Sequence, residues 1–522
     1  MKNKWLLVIS SILIVFSILI IGCKQKVEKR DVLLYATTES VTDMDPAEAY
    51  DFHTWEIFQN TFQGLLKYKP GTTTLVPGLA ESYSVNEKGD VYTFKLRDGI
   101  KFSDGSDFSA EDVKWSIERV IALGGDPAWL VKDFVESVDV VDETTVRFNL
   151  KNPCGYFPKL VATCPYFPVN PDVYPKEKYI ANPSELKGGK ITGLGPYQII
   201  SFKRDEEIVL EVNPYYYEEQ PKVKRIVIRY FADPTTMRLS LEKGDIDLAY
   251  KQLNPSDIAD LQKNEALNMY KIPGPYIRYL CFETSESVLK NNKARQAVAA
   301  TIDRNELAEK VFLGQVEPLY SMVPQGMIYH TDAFKDKLGD GNIGMATSLL
   351  SDLGYSEGNP LEFELWYTPS HYGDTEVNLA EVLRKQIEEC PLLKVELKSA
   401  EWSTYTDNFQ KKNMPAFLLG WYPDYIDPDN YTAAFAGTEG SIGMGIYFSD
   451  PEWDRLFEKE KTSTNPEVRE DVFRKLQEMW TVEVPTAPML QGNLFVFTQK
   501  NIKGVKIGPT LIFNYNELYF EE

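Results

Sequence analysis

Residues 92–113 read YTFKLRDGIKFSDGSDFSAEDV and contain a strand pattern, a turn signal and a helix start in one stretch. Apolar and polar side chains alternate from Tyr92 to Leu96, which is the pattern of a strand with one buried face. Asp98-Gly99 follows as a turn signal. Ser109 precedes residues with helical apolar spacing, as an N-cap residue does. A strand followed so closely by a helix predicts a mixed α/β architecture.

The same two patterns recur along the chain without an internal repeat. Alternation from Val146 to Leu150 and from Leu361 to Tyr367 predicts two further strands with one wet face. Asp303, with Glu306 three residues later, predicts a capped helix start, and Asn465-Pro466 predicts another. The buried stripe of that last helix is predicted to be Val468, Val472, Leu476 and Met479.

The amino terminus has the parts of a secretory signal. An apolar run from Trp5 to Ile21 lies behind two lysines and ends at Gly22-Cys23. As a helix this run would be about 25 Å long, shorter than the roughly 30 Å hydrocarbon core of a membrane. A cleaved signal over residues 1–22 is therefore favoured over a membrane anchor. Residues 24–30 are charged and aperiodic, which predicts a flexible tether over 23–30.

The charge balance excludes one class of partner. The chain carries 77 acidic against 56 basic residues, a formal charge of −21, and loss of residues 1–22 with their two lysines would make it −23. Such a surface repels nucleic acid and anionic lipid. We therefore expect no nucleic-acid partner, and a body that is soluble apart from its amino terminus.

Cysteine use is compatible with an exported protein. After Cys23 the sequence has Cys154, Cys164, Cys281 and Cys390, with no C-x-x-C pair. An even number permits disulfides outside the cytoplasm. Cys154 and Cys164 bracket a short Pro- and Phe-rich segment and form the best candidate pair, with buried free thiols as the alternative.

Catalytic and cofactor motifs are missing from the sequence. The three histidines, His53, His330 and His371, show no metal-ligand spacing. There is no G-x-S-x-G elbow, no phosphate-binding loop and no dinucleotide fingerprint. We predict a protein that is not an enzyme and that has no catalytic residues, no metal and no cofactor. A hydrolase with two carboxylates that meet only in the fold stays open, because such a pair leaves no local spacing.

One segment concentrates binding chemistry. Residues 420–431 read GWYPDYIDPDNY and combine aromatic rings with carboxylates after an apolar strand-like stretch. Asp427 precedes a proline and is predicted to cap a helix. Asp424 lies outside that cap, near Trp421. A carboxylate among aromatic rings suits an ammonium group, and a turn residue that accepts from backbone amides is the alternative interpretation for Asp424.

Several stretches together resemble a known family. Residues 92–113 are similar to the most specific signature of the family-5 extracellular solute-binding proteins, although Ser103 stands where histidine is common. The group includes dipeptide- and oligopeptide-binding lipoproteins of ABC importers. Further matches are Pro77–Ser82, Gly193–Tyr197, Ala294–Val298, Ile302–Arg304 and Trp421–Pro428.

The resemblance implies a two-lobed, periplasmic-binding-protein-like α/β fold of type II, cluster C, with an extra inserted domain. Mapped on this chain, lobe I comprises residues 31–72, 190–269 and 490–522, the inserted domain 73–189, and lobe II 270–489. Two crossings between the lobes are expected near residues 272–275 and 489–492, where proline and glycine are consistent with hinges. Residues 20–23 resemble a lipobox, which implies a lipid on Cys23 and an extracytoplasmic, membrane-anchored protein on the outer or periplasmic side.

The resemblance also implies a site. Asp424 would hold the α-amino group of an extended peptide, and its neighbours Gly420, Trp421 and Tyr422 would bind the ligand from the same lobe. Glu39 and Ser40 would bind the ligand backbone from the opposing lobe. The family often places a basic residue for the ligand carboxylate where this chain has residues 368–371, which contain no arginine or lysine. Arg278 is the alternative counter-charge, and structural pairing of Arg278 between the domains is the competing interpretation.

The resulting prediction is a monomeric, lipid-anchored receptor that delivers oligopeptides to the permease subunits of an ABC importer. An oligosaccharide ligand is the nearest alternative within the family, since the 30 tyrosines and 9 tryptophans offer stacking surfaces. Uptake of nickel or a metal chelate is disfavoured by the three histidines. A lipid-anchored hydrolase is the alternative from another class.

Overall fold

The computed structural model describes residues 31–521 with the exception of residues 42, 252, 370, 373, 374 and 509. The predicted signal (1–22), the tether (23–30) and Cys23 lie outside the described residues. Among the residues described, no helix has both the length and the apolar character that a membrane-spanning helix requires.

The strands are numbered here in chain order. They are β1 Val32–Thr37, β2 Leu66–Tyr68, β3 Leu75–Pro77, β4 Ala80–Val85, β5 Val91–Leu96, β6 Val135–Asp142, β7 Thr145–Leu150, β8 Tyr197–Lys203, β9 Glu207–Val212, β10 Arg225–Tyr230, β11 Leu248–Tyr250, β12 Leu267–Phe282, β13 Val316–Pro318, β14 Leu361–Tyr367, β15 Leu393–Ser399, β16 Ala416–Trp421, β17 Thr486–Gln499, β18 Ile502–Lys503 and β19 Tyr519–Phe520.

Helices cover the sheets and connect the strands. The α-helices are Phe52–Thr61, Ala110–Leu123, Trp129–Lys132, Phe157–Leu160, Pro234–Lys243, Pro255–Leu261, Asn292–Thr301, Arg304–Phe312, Ala333–Leu338, Ile343–Asp352, Thr375–Glu388, Trp402–Gln410, Ala433–Ala436, Thr438–Gly443, Pro451–Thr462 and Pro466–Glu483. Short 3-10 helices lie at Asp126–Ala128, Cys164–Tyr166, Pro183–Glu185, Lys187–Gly189, Pro428–Tyr431 and Tyr515–Glu517.

The stretch 92–113 folds as its pattern predicts. β5 carries the alternating residues, and the helix Ala110–Leu123 starts after Ser109. The Ser109 backbone N–H donates to the Asp112 carboxylate at 2.7 Å, so the helix start is held by a capping box. β5 lies inside a four-stranded antiparallel sheet of order β4-β5-β7-β6. This sheet falls within the predicted inserted domain.

One large sheet runs through both halves of the molecule. Its order is β15-β14-β16-β12-β17-β11-β1-β10-β9-β8, and β13 pairs separately with β17. The central strands β12 and β17 are antiparallel and pair along nearly their whole length, with a register shift between Pro273 and Ile277. Before this shift β17 is flanked by β11, and beyond it β12 is flanked by β16. The two segments expected to cross between lobes therefore lie in adjacent strands of one sheet, while the domain boundaries themselves stay a prediction.

The buried apolar side chains separate into two large cores and a small one. The first core includes Leu33, Phe58, Phe94 and Ile226, and it joins β1 and β10 to the four-stranded sheet. The second includes Leu280, Leu365, Leu418 and Trp480, and it lies under β12, β14 and β16. This division is that of the two-lobed α/β fold that the sequence predicts.

Local helix signals are mostly confirmed. Asp303 accepts from the Glu306 N–H at 2.9 Å, and Asn465 accepts from the Glu467 N–H at 2.9 Å. The buried stripe of the last helix is only partly as predicted. Val472 and Leu476 are buried, but Val468 and Met479 are half-buried, and Trp480 fills the core instead.

The prediction of a disulfide between Cys154 and Cys164 is wrong. Cys154 and Cys164 are both buried free thiols. The helix Phe157–Leu160 and the 3-10 helix Cys164–Tyr166 intervene, and the Cys164 thiol lies 3.7 Å from the Trp55 carbonyl oxygen. The alternative interpretation, buried thiols, is the one that the structure supports.

Candidate ligand-binding cleft

The segment 420–431 leaves the sheet at the end of β16 and forms a loop before the 3-10 helix Pro428–Tyr431. Asp427 caps that helix by accepting from the Asp429 N–H at 3.0 Å, as predicted. Its carboxylate also pairs with Arg469 through two hydrogen bonds of 2.6 and 2.9 Å and with Lys159 at 2.5 Å. Asp427 is fully buried, and its role in this structure is structural.

Asp424 is held differently, by polar side chains at the wall of a cavity. The Tyr50 hydroxyl donates to one carboxylate oxygen, and the Asn430 amide donates to the other at 3.2 Å. Burial raises the pKa of the Asp424 carboxyl above its ordinary value, and the Tyr50 and Asn430 donors lower it in part. A cationic group of a ligand would restore the ionised form by replacing lost solvation with a charge-assisted bond.

Asn430 fixes the position of this loop. Its side-chain oxygen accepts from the Asp424 backbone N–H and from the Trp421 indole N–H, each at 3.0 Å. One amide therefore orients both the carboxylate and the indole ring. Neither orientation depends on a turn made by Asp424 itself, which argues against the interpretation of Asp424 as a turn residue alone.

Aromatic rings enclose a cavity of about 190 Å³ beside Asp424. The Phe52 and Tyr422 rings of its lining are in contact, with ring centroids 5.1 Å apart, and the Tyr50 ring centroid lies 5.7 Å from that of Trp55. The remaining lining residues are Asp51, Trp421 and Asp424. Rings from the predicted lobe I thus meet rings from the predicted lobe II at this point.

A second cavity of about 500 Å³ adjoins the first. The two share Tyr50, Asp51, Phe52 and Tyr422 in their linings. Glu39 lines the larger cavity, whereas Ser40 is exposed and lines neither. The structure therefore brings Glu39, Trp421, Tyr422 and Asp424 to one pair of cavities and leaves Ser40 apart, and their roles toward a ligand stay predictions.

Because Gly420 has no side chain, Tyr276 and Arg278 can pack closely against its backbone behind the cavity wall of predicted lobe II. A Cβ atom on Gly420 would lie 2.8 Å from the ring of Tyr276 and 2.9 Å from the Arg278 guanidinium. Tyr276 in turn stacks on Tyr422 with centroids 4.6 Å apart. Gly420 lies behind the wall and supports the position of Tyr422 through Tyr276.

Arg278 does not line either cavity. It is buried, forms an ion pair with Glu376 and lies over the Tyr372 ring at 3.9 Å. Arg278 and Glu376 both fall within predicted lobe II, so with these predicted bounds their pair lies inside one lobe. We correct the expectation for Arg278. Its charge is balanced by Glu376 within predicted lobe II, and not by a ligand carboxylate or by a residue of another lobe.

Sequence reasoning missed four residues of the cleft: Tyr50, Phe52, Trp55 and Asn430. The first three come from the helix Phe52–Thr61 and the residues just before it, far from segment 420–431 in sequence. Asn430 lies in the segment that was singled out, but its amide has no signature that distinguishes it from a helix residue. Only the fold shows that it holds Trp421 and Asp424.

Comparison with known proteins places the chain among bacterial transport receptors. The family model described as bacterial extracellular solute-binding proteins, family 5 Middle, matches residues 74–442. A probable D,D-dipeptide-binding periplasmic protein, DdpA of Escherichia coli (strain K12), is 25% identical over 506 residues and aligns with 94% of each chain. The oligopeptide-binding protein OppA of Bacillus subtilis (strain 168) is 24% identical, with all of both chains covered.

Solved structures show the same fold. HbpA2 from Haemophilus parasuis superposes with a TM-score of 0.84 at 21% identity, covering 94% of this chain and 100% of the other. The family match spans most of the chain and includes the stretch 92–113 and the segment that carries Asp424. The chain therefore belongs to the family-5 bacterial extracellular solute-binding proteins.

Proposed function

We propose that this protein captures peptides between its two lobes and delivers them to an ABC importer. The observation that carries the proposal is the Asp424 carboxylate at the wall of a ring-lined cavity, oriented by Tyr50 and Asn430. In this proposal Asp424 binds the terminal ammonium of the peptide. The ammonium forms a charge-assisted hydrogen bond, and the neighbouring rings add cation–π attraction.

The rest of the ligand extends along the cleft. An extended peptide adds hydrogen bonds through its own backbone, which gives affinity without dependence on side chains. Contacts from both lobes favour the closed arrangement, so binding shifts the population toward closure. The permease subunits of the importer then recognise the closed receptor. The names of the dipeptide- and oligopeptide-binding relatives support a peptide as the ligand.

We also propose that the receptor acts as a monomer tethered to the extracytoplasmic face of the cell membrane by a lipid on Cys23. The support is the sequence at residues 1–23. Mass spectrometry of the amino-terminal peptide tests this directly, with the Cys23→Ala variant as the control. An unmodified Cys23 in membrane-associated protein would contradict the lipid anchor. The proposal of a peptide ligand would be unaffected.

A ligand screen tests the proposed function. Short peptides and oligosaccharides are compared by thermal shift, because a ligand that binds only the folded protein raises the melting temperature. We expect stabilisation by peptides with a free amino terminus and none by the same peptides after N-acetylation. Stabilisation by oligosaccharides alone would replace the peptide proposal, and cleavage of a bound ligand by pure protein would indicate a hydrolase.

A matched pair of variants isolates the role of Asp424. Asp424→Asn is expected to weaken peptide binding by roughly 2–5 kcal/mol in calorimetry, since a buried ammonium loses its charged partner. Asp471→Asn is the control, because Asp471 is an exposed residue of the helix Pro466–Glu483. Equal affinity of both variants for peptide would remove Asp424 from the binding site.

A further inference from the structure

Predicted lobe I contains a further cavity, of about 200 Å³, which we call the lobe I cavity. All of its lining residues fall within the predicted bounds of lobe I, and it shares none of them with the two cavities of the cleft. A single water molecule occupies roughly 10–15 Å³ of such a volume, and sites for drug-sized ligands are about 300–1,000 Å³. The lobe I cavity therefore has room for one small molecule.

One buried side chain of the lobe I cavity has an amide without a partner. Gln63 follows the helix Phe52–Thr61, lines the cavity and is 6% exposed. Among the described residues its amide has no hydrogen-bond partner, and its polar atoms are not fully covered by protein. The amide therefore reaches the open space of the cavity. Nearly all buried polar groups in native structures have a partner, so Gln63 needs one from outside the chain, either water or a ligand.

Further carboxamides line the same cavity. Asn514 precedes the 3-10 helix Tyr515–Glu517 but its side chain does not cap that helix, and Asn516 lies within it. In the part of the chain that the structure describes, neither side chain forms a hydrogen bond. Gln59 donates through Nε2 to the Ala162 carbonyl oxygen at 3.3 Å. The small cavity thus collects several carboxamides, most of them without a partner among the residues described.

Asn60 fixes the two elements that carry these carboxamides. Its Nδ2 donates to the Phe513 carbonyl oxygen at 2.8 Å, and its Oδ1 accepts from the Tyr515 backbone N–H at 2.9 Å. Asn60 is buried, so both bonds are shielded from water. The helix Phe52–Thr61 and residues 513–517 are therefore joined before any ligand binds. A preorganised site loses less free energy to ordering when it is filled.

The charged residues of the lining are already paired. Lys67 Nζ lies 2.5 Å from Glu218 Oε2, and the Tyr216 hydroxyl donates to the same oxygen at 2.8 Å. Glu517 forms an ion pair with Lys506, with Nζ 2.5 Å from Oε2. An ionic ligand would have to displace one of these pairs or remain without a counter-charge, which is costly in a partly buried site. The cavity therefore favours a neutral ligand.

The rest of the lining determines which neutral ligand fits. Pro70, Pro196 and Ile512 provide apolar surface, and Tyr216 adds a ring. A carboxamide donates through its nitrogen and accepts through its oxygen, and a hydroxyl group also does both. A sugar ring has hydroxyls around its edge and C–H groups on its faces. Its edge therefore matches the carboxamides, and its faces match the apolar surface.

We propose that the lobe I cavity binds a neutral monosaccharide or cyclic polyol, whose hydroxyls bond to the carboxamides of Gln63, Asn514 and Asn516. The site is separate from the proposed peptide cleft and does not depend on it. A space of about 40 Å³ shares Gln59 with the lobe I cavity and Asp424 with the smaller cavity of the cleft. It has room for only a few water molecules, so both sites can be filled at once.

Calorimetry with matched sugars tests the proposal. Glucose, mannose, galactose and myo-inositol are the neutral probes, and glucuronate and glucosamine are charged counterparts of glucose. We expect at least one neutral probe to bind, and both charged probes to bind about tenfold more weakly than the tightest neutral one, because their charge has no counter-charge in the cavity. Failure of every neutral probe to bind at millimolar concentration, or equal affinity for a charged probe, would overturn the inference. Neither result affects the proposed peptide function.

Variants locate the sugar in the lobe I cavity. Gln63→Leu keeps a side chain of similar size and removes an amide without a partner among the described residues, so the melting temperature should hold while sugar affinity falls about tenfold. Asn516→Leu should cause the same loss, and Gln262→Leu, on an exposed residue, is the matched control. Asp424→Asn should retain sugar binding. Unchanged affinity in both cavity variants, or competition between sugar and peptide, would place the sugar elsewhere and overturn the inference.

Discussion

Lys159 and Asp427 form an ion pair between two parts of the chain that are 268 residues apart, with Lys159 Nζ 2.5 Å from Asp427 Oδ2. Lys159 falls in the predicted inserted domain and Asp427 in predicted lobe II. Arg469 binds the same carboxylate through both of its terminal nitrogens. The adjacent rings of Tyr156 and Tyr425 stack with centroids 5.2 Å apart. Asp427, three residues after Asp424, thus anchors a contact between the predicted inserted domain and predicted lobe II.

Asp427→Asn should lower stability strongly. Its carboxylate is buried between two cations, which hold its pKa well below the ordinary range although burial opposes them. Loss of this charge leaves Lys159 without its partner and removes one of the two carboxylates that pair with Arg469. Breaking a buried pair costs about 3–5 kcal/mol. Denaturant unfolding of Asp427→Asn beside the natural protein measures the loss.

Glu460, which lies near Asp427, should respond differently when its carboxylate is replaced by an amide. Burial and the nearby Asp429 raise the pKa of Glu460, and Arg469, whose terminal nitrogen lies 2.7 Å from the Glu460 carboxylate, lowers it in part. Glu460→Gln keeps an oxygen acceptor for Arg469, and it should destabilise the protein less than Asp427→Asn does because burial disfavours the charged form of the Glu460 carboxyl. A Glu460→Gln variant as unstable as Asp427→Asn would show that Glu460 carries the balancing charge instead.

Peptide binding should weaken as the pH falls. A terminal ammonium binds the ionised form of Asp424, and the pKa of this carboxyl in the empty protein is raised by burial. The affinity therefore declines with falling pH as Asp424 takes up a proton, at a pH above the ordinary midpoint of an aspartate. The peptide amine stays protonated throughout this range.

Tyr50→Phe should move that decline to higher pH. The Tyr50 hydroxyl donates to Asp424 and stabilises its ionised form, so removing the donor raises the pKa further. Affinity measured by calorimetry between pH 4 and pH 7 gives the midpoint for each protein. A midpoint that moves down in Tyr50→Phe, or does not move, would contradict the role given to this hydroxyl.

Asn430→Ala should reduce both binding and stability. The substitution removes the acceptor for the Trp421 indole and for the Asp424 backbone, together with the donor to the Asp424 carboxylate. Leaving such groups unpaired costs about 1–3 kcal/mol in stability. Melting curves and peptide titrations of the same preparation measure the two effects. Asn413→Ala, in an exposed turn, is the control, and an Asn430→Ala variant that resembles it in both measurements would show that the amide is dispensable.

The thiols of Cys154 and Cys164 should be unreactive until the protein unfolds. Both are buried, and burial raises the pKa of each above the ordinary value of a cysteine. A thiol reagent should label them in denaturant without prior reduction. Reductant should leave the melting temperature unchanged, whereas loss of a native disulfide typically costs about 2–5 kcal/mol. Labelling that requires reduction would restore the predicted bridge.

Local sequence signals predicted individual strands and helix starts of the scaffold. The strand at β5 and the caps at Ser109, Asp303, Asn465 and Asp427 depend on residues only a few positions apart, so their patterns are visible in the sequence. The segment with Trp421 and Asp424 was also visible, because its rings and carboxylates are contiguous.

The contacts that complete the cleft could not be found in this way. Tyr50 and Asp424 are separated by 374 residues, and only the folded chain brings them together. For Arg278 the sequence suggested a ligand contact that the structure does not show. Its partner Glu376 lies on the helix Thr375–Glu388, and no local sequence pattern links that helix to β12. Charge and position along the chain suggested a ligand contact, whereas burial of both residues determines their pairing.

Trp55 and Trp421 both line the smaller cavity, and together they give the protein an intrinsic fluorescence signal for ligand entry. Other indoles, such as Trp453 and Trp480, are buried in the second core and should keep their emission when the cleft fills. Ligand entry should therefore change intrinsic fluorescence through these two rings. In Trp421→Phe and Trp55→Phe the change should shrink, and in the double variant it should be smallest, so occupancy can be followed in solution without any label on the peptide.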